Sequence, residues 1–376
     1  MDKFIEPKLL AYLRQKAAAN LTPLNGAFEL TPLCNLQCRM CYVRMSREQM
    51  NRLGTPLSCS DWLKIAEDAR RSGMLLLLLT GGEPLLYPEF NELYTELCRM
   101  GFIMQINTNG TMIDERMARL FSDLPPSRMN ITLYGADAHA YESLCGDKDG
   151  FFKVDRGIRL MKEVGVSVKL NHTITRQNVS QLKAVADYAE AHELPLQGTS
   201  YLFPPVRNAN RTAFENSRLS PYEAASAIVK LFLYQNGREK LQQRMEALKE
   251  GKAPSPLGEG DDCAAEGEPS RCGAGRSSFW ITWQGILLPC GMMDNIAQDL
   301  KTTDFDTAWK NVAHAVSEVR LPAKCASCSK KGLCQTCMAM IYCEVGLDNT
   351  APEYRCALAD SCIDAMERTL ANEREK

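Results

Sequence analysis

The sequence predicts an α/β protein in which part of a barrel is followed by a smaller cysteine-rich region. Apolar segments with strand character alternate with helical segments up to about residue 200. Six such βα units with right-handed crossovers would curl into part of a barrel. The pattern then becomes helical and finally dense in cysteine. We therefore predict an N-terminal helical segment at 1–24, the barrel at 25–215, a helical bridge at 216–255 and a small, irregular Cys-rich domain at 256–376.

The predicted strands are short apolar runs that stop at glycine or polar residues. They are Ala27–Leu30, Leu75–Leu79, Ile103–Asn107, Asn130–Leu133, Val166–Leu170 and Leu196–Ser200. Helical stretches between them end at Gly73, Gly101 and Gly165. The charged N-terminus predicts a short amphipathic helix. The Gly-, Pro- and acid-rich stretch after Gly251 predicts an irregular linker.

Composition excludes several classes of protein. The chain has 376 residues, a net charge of −2 and 45% apolar residues, which suits an enzyme with a large core and no nucleic-acid partner. No apolar run reaches membrane-spanning length and the N-terminus is no signal peptide, so we expect a cytoplasmic protein without a membrane partner. In that compartment sixteen cysteines point to metal rather than disulfides. Four histidines without a His-Glu-x-x-His motif give histidine-based zinc catalysis no support.

Three cysteines stand close together near the start of the chain. Cys34, Cys38 and Cys41 have the spacing Cys-x₃-Cys-x₂-Cys. Three thiolates can hold three irons of a [4Fe–4S] cube, which leaves the fourth iron an open coordination position for a substrate or cosubstrate. Zinc is the commonest alternative, but structural zinc usually takes four ligands in two pairs. Spacing by itself favours the cluster only modestly.

A second motif follows about forty residues later. The apolar run Leu75–Leu79 breaks at Gly81-Gly82-Glu83-Pro84, as a buried strand ending in a turn that lets backbone approach a ligand. The two motifs in this order resemble the radical SAM superfamily. The resemblance implies a partial (β/α)6 TIM barrel in which the open iron binds S-adenosylmethionine (SAM). It implies that Glu83 and the backbone of Gly81 and Gly82 hold the SAM ammonium, and that one electron from the cluster releases a 5′-deoxyadenosyl radical.

Polar residues end the later strands of the predicted barrel, where barrel enzymes place their ligand contacts. The resemblance implies that Asn109, Thr132 and Asn171 contact the ribose, adenine and carboxylate of SAM, and that Tyr42 lies near the adenine. The alternative is that these are turn and cap residues. His172 can equally be a strand-end histidine with its hydrogen bonds satisfied.

The C-terminal third contains a second cysteine pattern. Cys272 is followed by twelve residues, Gly285, four residues and Cys290, and then by Cys-x₂-Cys-x₅-Cys-x₂-Cys. This resembles the SPASM domain, which binds two auxiliary iron–sulfur clusters that we expect to be [4Fe–4S]. The resemblance implies auxiliary cluster I on Cys263, Cys272, Cys290 and Cys337, with an open site in place of Cys263 as the alternative. It implies auxiliary cluster II on Cys325, Cys328, Cys334 and Cys356.

Three points about this pattern stay open. The spacing between Cys334 and Cys337 is one residue shorter than is usual in SPASM domains. The four cysteines from Cys325 to Cys337 also have the spacing of a Cys₄ zinc knuckle. Cys343 and Cys362 have no assigned role, and either can replace a named ligand. Cys59, Cys98 and Cys145 lie in or beside predicted helices and are interpreted as core thiols.

The combined resemblance implies a radical SAM oxidoreductase that abstracts hydrogen from a peptide or protein substrate. Thioether or carbon–carbon cross-linking and epimerisation are the expected outcomes. Sulfatase-maturase-like oxidation ranks lower, because Gly291 stands where those enzymes carry an aspartate. Modification of a small metabolite, and a non-enzymatic electron-transfer or cluster-carrying role, are the alternatives. The expected partners are the substrate peptide, a separate leader-peptide-binding protein and an electron donor such as a flavodoxin or ferredoxin.

Overall fold

The computed structural model describes residues 8–207, 211–250 and 272–372. Within these ranges the strands form one sheet. In chain order they are β1 Asn25–Glu29, β2 Leu76–Thr80, β3 Ile103–Thr108, β4 Arg128–Thr132, β5 Val168–Thr173, β6 Leu196–Thr199, β7 Ser278–Ile281, β8 Ile286–Leu288 and β9 Gln298–Asp299. The predicted linker and Cys263 lie outside the described residues.

The sheet confirms the partial barrel. Its strand order is β6-β5-β4-β3-β2-β1-β7-β8-β9, and β1 to β6 are all parallel. The six predicted strands are present, with ends that differ by up to three residues. The sheet stays open, as the prediction of a partial barrel requires. The C-terminal region adds β7 in parallel beside β1, followed by antiparallel β8 and β9, so its first part continues the barrel sheet.

Helices surround the outer face of this sheet and build the C-terminal region. In chain order they are α1 Lys8–Asn20, α2 Arg47–Leu53, α3 Cys59–Arg71, α4 Phe90–Arg99, α5 Glu115–Asp123, α6 Ala138–Cys145, α7 Gly150–Glu163, α8 Leu182–Ala191, α9 Arg211–Ser217, α10 Pro221–Lys249, α11 Phe305–Ser317, α12 Ala323–Ala326, α13 Lys331–Cys334, α14 Met338–Val345 and α15 Glu353–Asn372. Gly73, Gly101 and Gly165 follow α3, α4 and α7 with φ values of 110°, 87° and 78°. Glycine adopts this left-handed backbone readily, so the predicted helix ends are confirmed.

The two faces of the barrel strands differ in polarity. On the outer face, fully buried Phe28 of β1 stacks on Trp62 of α3 with ring centroids 4.7 Å apart. Because side chains alternate along a strand, Glu29 points to the inner face. On that face Asn130 Nδ2 donates to Asn107 Oδ1 at 2.8 Å. Barrel interiors are usually filled by branched apolar side chains, so this polar inner face is suited to a ligand.

A second hydrophobic core lies beside the barrel. The long helix α10 packs along α15, and both contribute buried apolar residues to this core. Gly237 interrupts α10 with φ 79° and ψ 171°, which produces a kink. The bridge and the C-terminal helix therefore share one core. Among the described helices, none combines the length and the hydropathy needed to span a membrane.

Candidate active site

The loop between β1 and α2 carries the first three cysteines and folds around their sulfur atoms. The backbone N–H of Leu36 donates to Cys34 Sγ at 3.4 Å, and that of Arg44 donates to Cys41 Sγ at 3.3 Å. Burial raises the pKa of Cys34 to about 12, and the negative charges of Cys38 and Cys41 add to this rise. The structure therefore brings the three predicted thiols together.

Cys38 is contacted from the opposite side by α6 and the end of β4. The thiol of Cys145 and the hydroxyl of Tyr134 donate to Cys38 and lower its pKa. Backbone bonds tie the loop to the same helix, since Gln37 N donates to the carbonyl oxygen of Cys145 at 2.8 Å. Cys145 is fully buried, as expected for a core thiol, but its contact with Cys38 was missed. No local spacing connects residues more than a hundred positions apart.

These residues fit an iron–sulfur cluster. The donor set consists of thiols, and N–H and O–H groups point at the sulfurs, as they do in iron–sulfur sites. Burial also raises the pKa of Cys41. Ionising Cys34 and Cys41 in the metal-free protein is therefore unfavourable, and a bound cationic group would relieve the cost.

Gly81 and Gly82 lie directly against the beginning of the cysteine loop. A Cβ on Gly81 would lie 2.5 Å from the Thr31 carbonyl oxygen, and one on Gly82 would overlap the Leu33 carbonyl. Gly82 N donates to Thr31 O at 2.7 Å, and Glu83 N donates to Leu33 O at 2.9 Å. Two glycines are thus needed for the end of β2 to cross the segment that leads into the cysteines.

The Glu83 carboxylate is fully buried and accepts three hydrogen bonds. Thr108 Oγ1 donates at 2.8 Å, Asn109 N at 2.9 Å and Leu85 N at 3.1 Å. Burial nevertheless raises the pKa of Glu83 to about 7. Within the described residues no basic side chain forms an ion pair with it. A buried carboxylate with neutral donors alone is stabilised by a nearby cation, which fits the predicted ammonium.

The three predicted strand-end residues lie in one row at the carboxyl edge of the sheet. Thr132 pairs with Asn171, and Asn109 follows Thr108, which pairs with the residue before Thr132. Asn109 Nδ2 donates to Asn35 Oδ1 at 2.9 Å and approaches Cys34 Sγ at 3.6 Å. The row therefore runs from the cysteine loop along the inner face of the barrel.

His172 lies on the opposite face of β5. Its Nδ1 donates to the Leu133 carbonyl at 2.7 Å, and burial lowers its pKa to about 4. Nε2 is buried and has no hydrogen-bond partner among the described residues. His172 is therefore hydrogen-bonded at only one of its two ring nitrogens, and the expected strand-end histidine with satisfied hydrogen bonds is found in part.

A buried ion pair lies inside the barrel between the first cysteine loop and the C-terminal region. Arg207 binds Glu29 through two hydrogen bonds of 3.0 and 2.9 Å and donates to the Gly291 carbonyl at 3.2 Å. Trp280 Nε1 donates to Glu29 at 2.9 Å. The group connects β1, β7 and the residue after Cys290. No sequence motif linked these positions.

Tyr42 extends from the cysteine loop toward this ion pair. Burial raises the pKa of its hydroxyl, Arg207 opposes the rise, and Glu29, Cys41 and Cys290 add to it. The Tyr42 hydroxyl therefore lies between the first cysteine loop and the loop that carries Cys290.

The structure brings Cys290 and Cys337 together in the C-terminal region. Burial raises the pKa of Cys290 to about 11, and the charge of Cys337 adds to the rise. Cys272 and Cys290 line one cavity of about 290 Å³ beside β1 and β7. Three of the four residues predicted for auxiliary cluster I are thus described, and they lie near one another.

The other four predicted cysteines also lie together. After burial, the charges of Cys356, Cys334 and Cys328 are the causes that raise the pKa of Cys325. Cys356 therefore lies close to Cys325, Cys328 and Cys334, as predicted for auxiliary cluster II. In the described ranges no three His, Cys, Asp or Glu side chains converge on a point suited to one metal ion. A cube needs no such point, because each thiolate binds a different corner.

Comparison with known proteins identifies the barrel. Residues 28–189 match the family model described as the radical SAM superfamily. The AdoMet-dependent heme synthase of Methanosarcina barkeri is 24% identical over 336 residues, covering 85% of this chain and 92% of that protein. The PqqA peptide cyclase of Granulibacter bethesdensis is 28% identical over 169 residues, covering 45% of this chain and 44% of that protein.

A solved structure has the same fold. Native anSMEcpe with bound AdoMet and Cp18Cys peptide is similar to this chain with a TM-score of 0.68 at 20% identity. The match covers 93% of this chain and 98% of the other. It therefore includes both the barrel and the C-terminal region.

Proposed function

This chain contains a radical SAM domain at residues 28–189, and from that premise we propose that it abstracts hydrogen from a peptide or protein substrate. The observation that carries the proposal is the convergence of Cys34, Glu83 and Asn109 at one end of the barrel. Asn109 bonds to Glu83 through its backbone N–H and approaches Cys34 through its side chain. The Cys34 thiol, a ligand for iron, and the Glu83 carboxylate, a partner for an ammonium, thus both lie beside Asn109.

At this end of the barrel, different residues bind the cluster and SAM. Cys34, Cys38 and Cys41 hold three irons of the first cluster, and Tyr134 and Cys145 orient Cys38. Gly81, Gly82 and Glu83 hold the SAM ammonium. The row Asn109, Thr132 and Asn171 borders the rest of SAM, while Tyr42 lies farther inward. When bound, the cluster and SAM supply a 5′-deoxyadenosyl radical that abstracts hydrogen.

A peptide substrate is supported by the open sheet and by two of the comparisons. Among the described strands, β6 forms an edge of the sheet, so the barrel is open at that edge and its interior is polar. One relative is named a peptide cyclase, and the similar structure contains a bound peptide. In the interior both terminal nitrogens of Arg207 bind Glu29, which leaves this arginine little capacity to bind a carboxylate-bearing substrate.

A second candidate is the modification of a small metabolite such as a porphyrin. The heme synthase matches 85% of this chain, whereas the peptide cyclase matches 45%. The heme synthase match supports this alternative, and the bonds between Arg207 and Glu29 argue against a substrate rich in carboxylates.

The C-terminal cysteines bind two auxiliary clusters in this proposal. Cys325, Cys328, Cys334 and Cys356 hold one, supported by their mutual electrostatic effect. Cys272, Cys290 and Cys337 hold the other. When bound to these cysteines, the clusters would supply redox centres for the electron left after hydrogen abstraction.

The transfer of deuterium tests the substrate class. Hydrogen abstraction moves one substrate hydrogen into 5′-deoxyadenosine, so the reduced, reconstituted enzyme is incubated with peptide and small-molecule fractions from cells grown on deuterated medium. Deuterated 5′-deoxyadenosine from the peptide fraction, lost when that fraction is digested with protease, supports a peptide. Deuterium from the small-molecule fraction alone supports the metabolite. Absence of 5′-deoxyadenosine in every sample contradicts the proposal. Enzyme lacking Cys34, Cys38 and Cys41 is the control.

A further inference from the structure

We propose that Cys343 is a ligand of auxiliary cluster I, together with Cys272, Cys290 and Cys337. This inference rests on the proposed function, because it assumes that the C-terminal region binds iron. It assigns a role to a cysteine outside the motif and makes Cys263 unnecessary.

The backbone of Met292 connects Cys343 to Cys290. Cys343 Sγ donates to the Met292 carbonyl at 3.4 Å, and the N–H of Met292 donates to the sulfur of Cys290. One residue thus contacts both thiols. Cys290, Cys337 and Cys343 are all half-buried and pack against the main core.

The electrostatic environment of Cys343 agrees with this arrangement. Burial is the main cause that raises its pKa to about 12, and the charges of Cys290 and Cys337 are the next two causes. Three thiols at one place are the kind of donor set that an iron–sulfur cluster binds.

Residues on both sides of Cys343 fix its position at the start of the last turn of α14. The hydroxyl of Tyr342 donates to Asp294 Oδ1 at 2.6 Å, which ties α14 to the loop after Cys290. Glu344 accepts from Tyr201 at 2.8 Å and forms a half-buried ion pair with Arg218. Ligands whose neighbours are anchored in this way lose little freedom on binding metal.

The shortened motif gives a reason for a substitute ligand. Cys337 stands at the N-terminus of α14, one residue nearer to Cys334 than usual. Cys343 comes from the same helix, almost two turns later. A single helix thereby supplies two thiols to the site around Cys290.

The test compares full-length proteins reconstituted anaerobically with iron and sulfide. Cys343→Ala should lose roughly one to four of about twelve irons and should alter the EPR signal of one cluster. Cys343→Ser keeps the size of the side chain and a donor for Met292, so it should fold normally while its oxygen shifts that EPR signal. Cys263→Ala should retain both iron and spectrum. Cys59→Ala removes a buried thiol from the barrel core and is the matched control.

Two results would overturn the inference. One is full iron with unchanged EPR spectra in both Cys343 variants. The other is loss of iron in Cys263→Ala with none in Cys343→Ala. Failure of the proposed function looks different, because the unmodified protein would then bind no iron or would bind zinc in its place.

Discussion

Replacing Glu83 with glutamine should remove a pH-dependent loss of stability from the metal-free protein. Burial raises the pKa of Glu83 from 4.5 to about 7, although three hydrogen bonds oppose the rise. Because the folded pKa lies above the unfolded value, the folded state binds the proton more tightly. The stabilising contribution of the protonated carboxyl is complete below pH 4.5 and is lost as the pH rises through 7.

The size of the effect follows from the two pKa values. The gap between 4.5 and about 7 corresponds to roughly 3 kcal/mol of folding free energy. Glutamine cannot ionise, and its amide oxygen can still accept a hydrogen bond from Thr108 or Asn109. The variant therefore avoids the loss and keeps part of the hydrogen bonding.

Urea denaturation of both proteins at pH 5 and pH 8 measures the difference. Between these pH values Glu83→Gln should gain roughly 2.5 kcal/mol relative to the unmodified protein, because part of the contribution is already lost at pH 5. Glu115→Gln is the control, because Arg156 lowers the pKa of that exposed carboxyl and a gain at pH 8 is not expected there. Parallel pH profiles for the Glu83 variant and the unmodified protein would refute the reasoning.

The same variant tests the proposed ammonium contact in the reconstituted protein. A cation beside Glu83 favours its ionised form, so SAM binding near pH 6 should release a proton from the unmodified protein and none from Glu83→Gln. Calorimetry in buffers of different ionisation enthalpy detects the release. Equal proton release and equal SAM affinity in both proteins would contradict a role for Glu83 in holding the ammonium.

Three further predictions concern the cysteine loop and the barrel interior. Removing the first three cysteines together should remove about one third of about twelve irons and abolish SAM cleavage; an unchanged iron count in a colorimetric assay would contradict this. Gly82→Ala should reduce iron loading, because its Cβ overlaps the Leu33 carbonyl. Gly165→Ala meets no atom within 4 Å, so it should leave iron loading unchanged and lower stability only by the cost of placing Ala at a φ of 78°. Equal loading in the two variants would refute the clash. Arg207→Ala should destabilise the fold by about 3–5 kcal/mol, because it leaves Glu29 charged and buried. Adding Glu29→Gln to this variant should restore part of the lost stability. Additive losses of the two substitutions in urea denaturation would count against an interaction between Arg207 and Glu29.

Much of the barrel and its binding edge could be predicted because the relevant patterns are local. Strand and helix character repeats within a few residues, and Cys34, Cys38 and Cys41 occupy one loop. Parallel strands also place their carboxyl ends at the same edge. Asn109, Thr132 and Asn171 therefore meet in one row even though more than sixty residues separate the first from the last.

Contacts made across the fold could not be read from any spacing. Cys145 reaches Cys38 because α6 docks on the cysteine loop, and Arg207 reaches Glu29 because the segment after β6 returns across the barrel interior. The extension of the barrel sheet by β7 likewise depends on a strand from the far end of the chain. These contacts depend on the angles at which whole helices and strands pack. Those angles cannot be inferred from residues that are neighbours in the sequence.

Among the cysteines of the C-terminal region, some could be grouped from their spacing and others only from the fold. Spacing groups Cys325, Cys328 and Cys334, since they lie within ten residues of one another. Which thiols join Cys290 depends on how α14 lies against the loop after β8. That orientation is set by half-buried contacts such as Tyr342 with Asp294, so Cys343 gains a partner only in the folded chain.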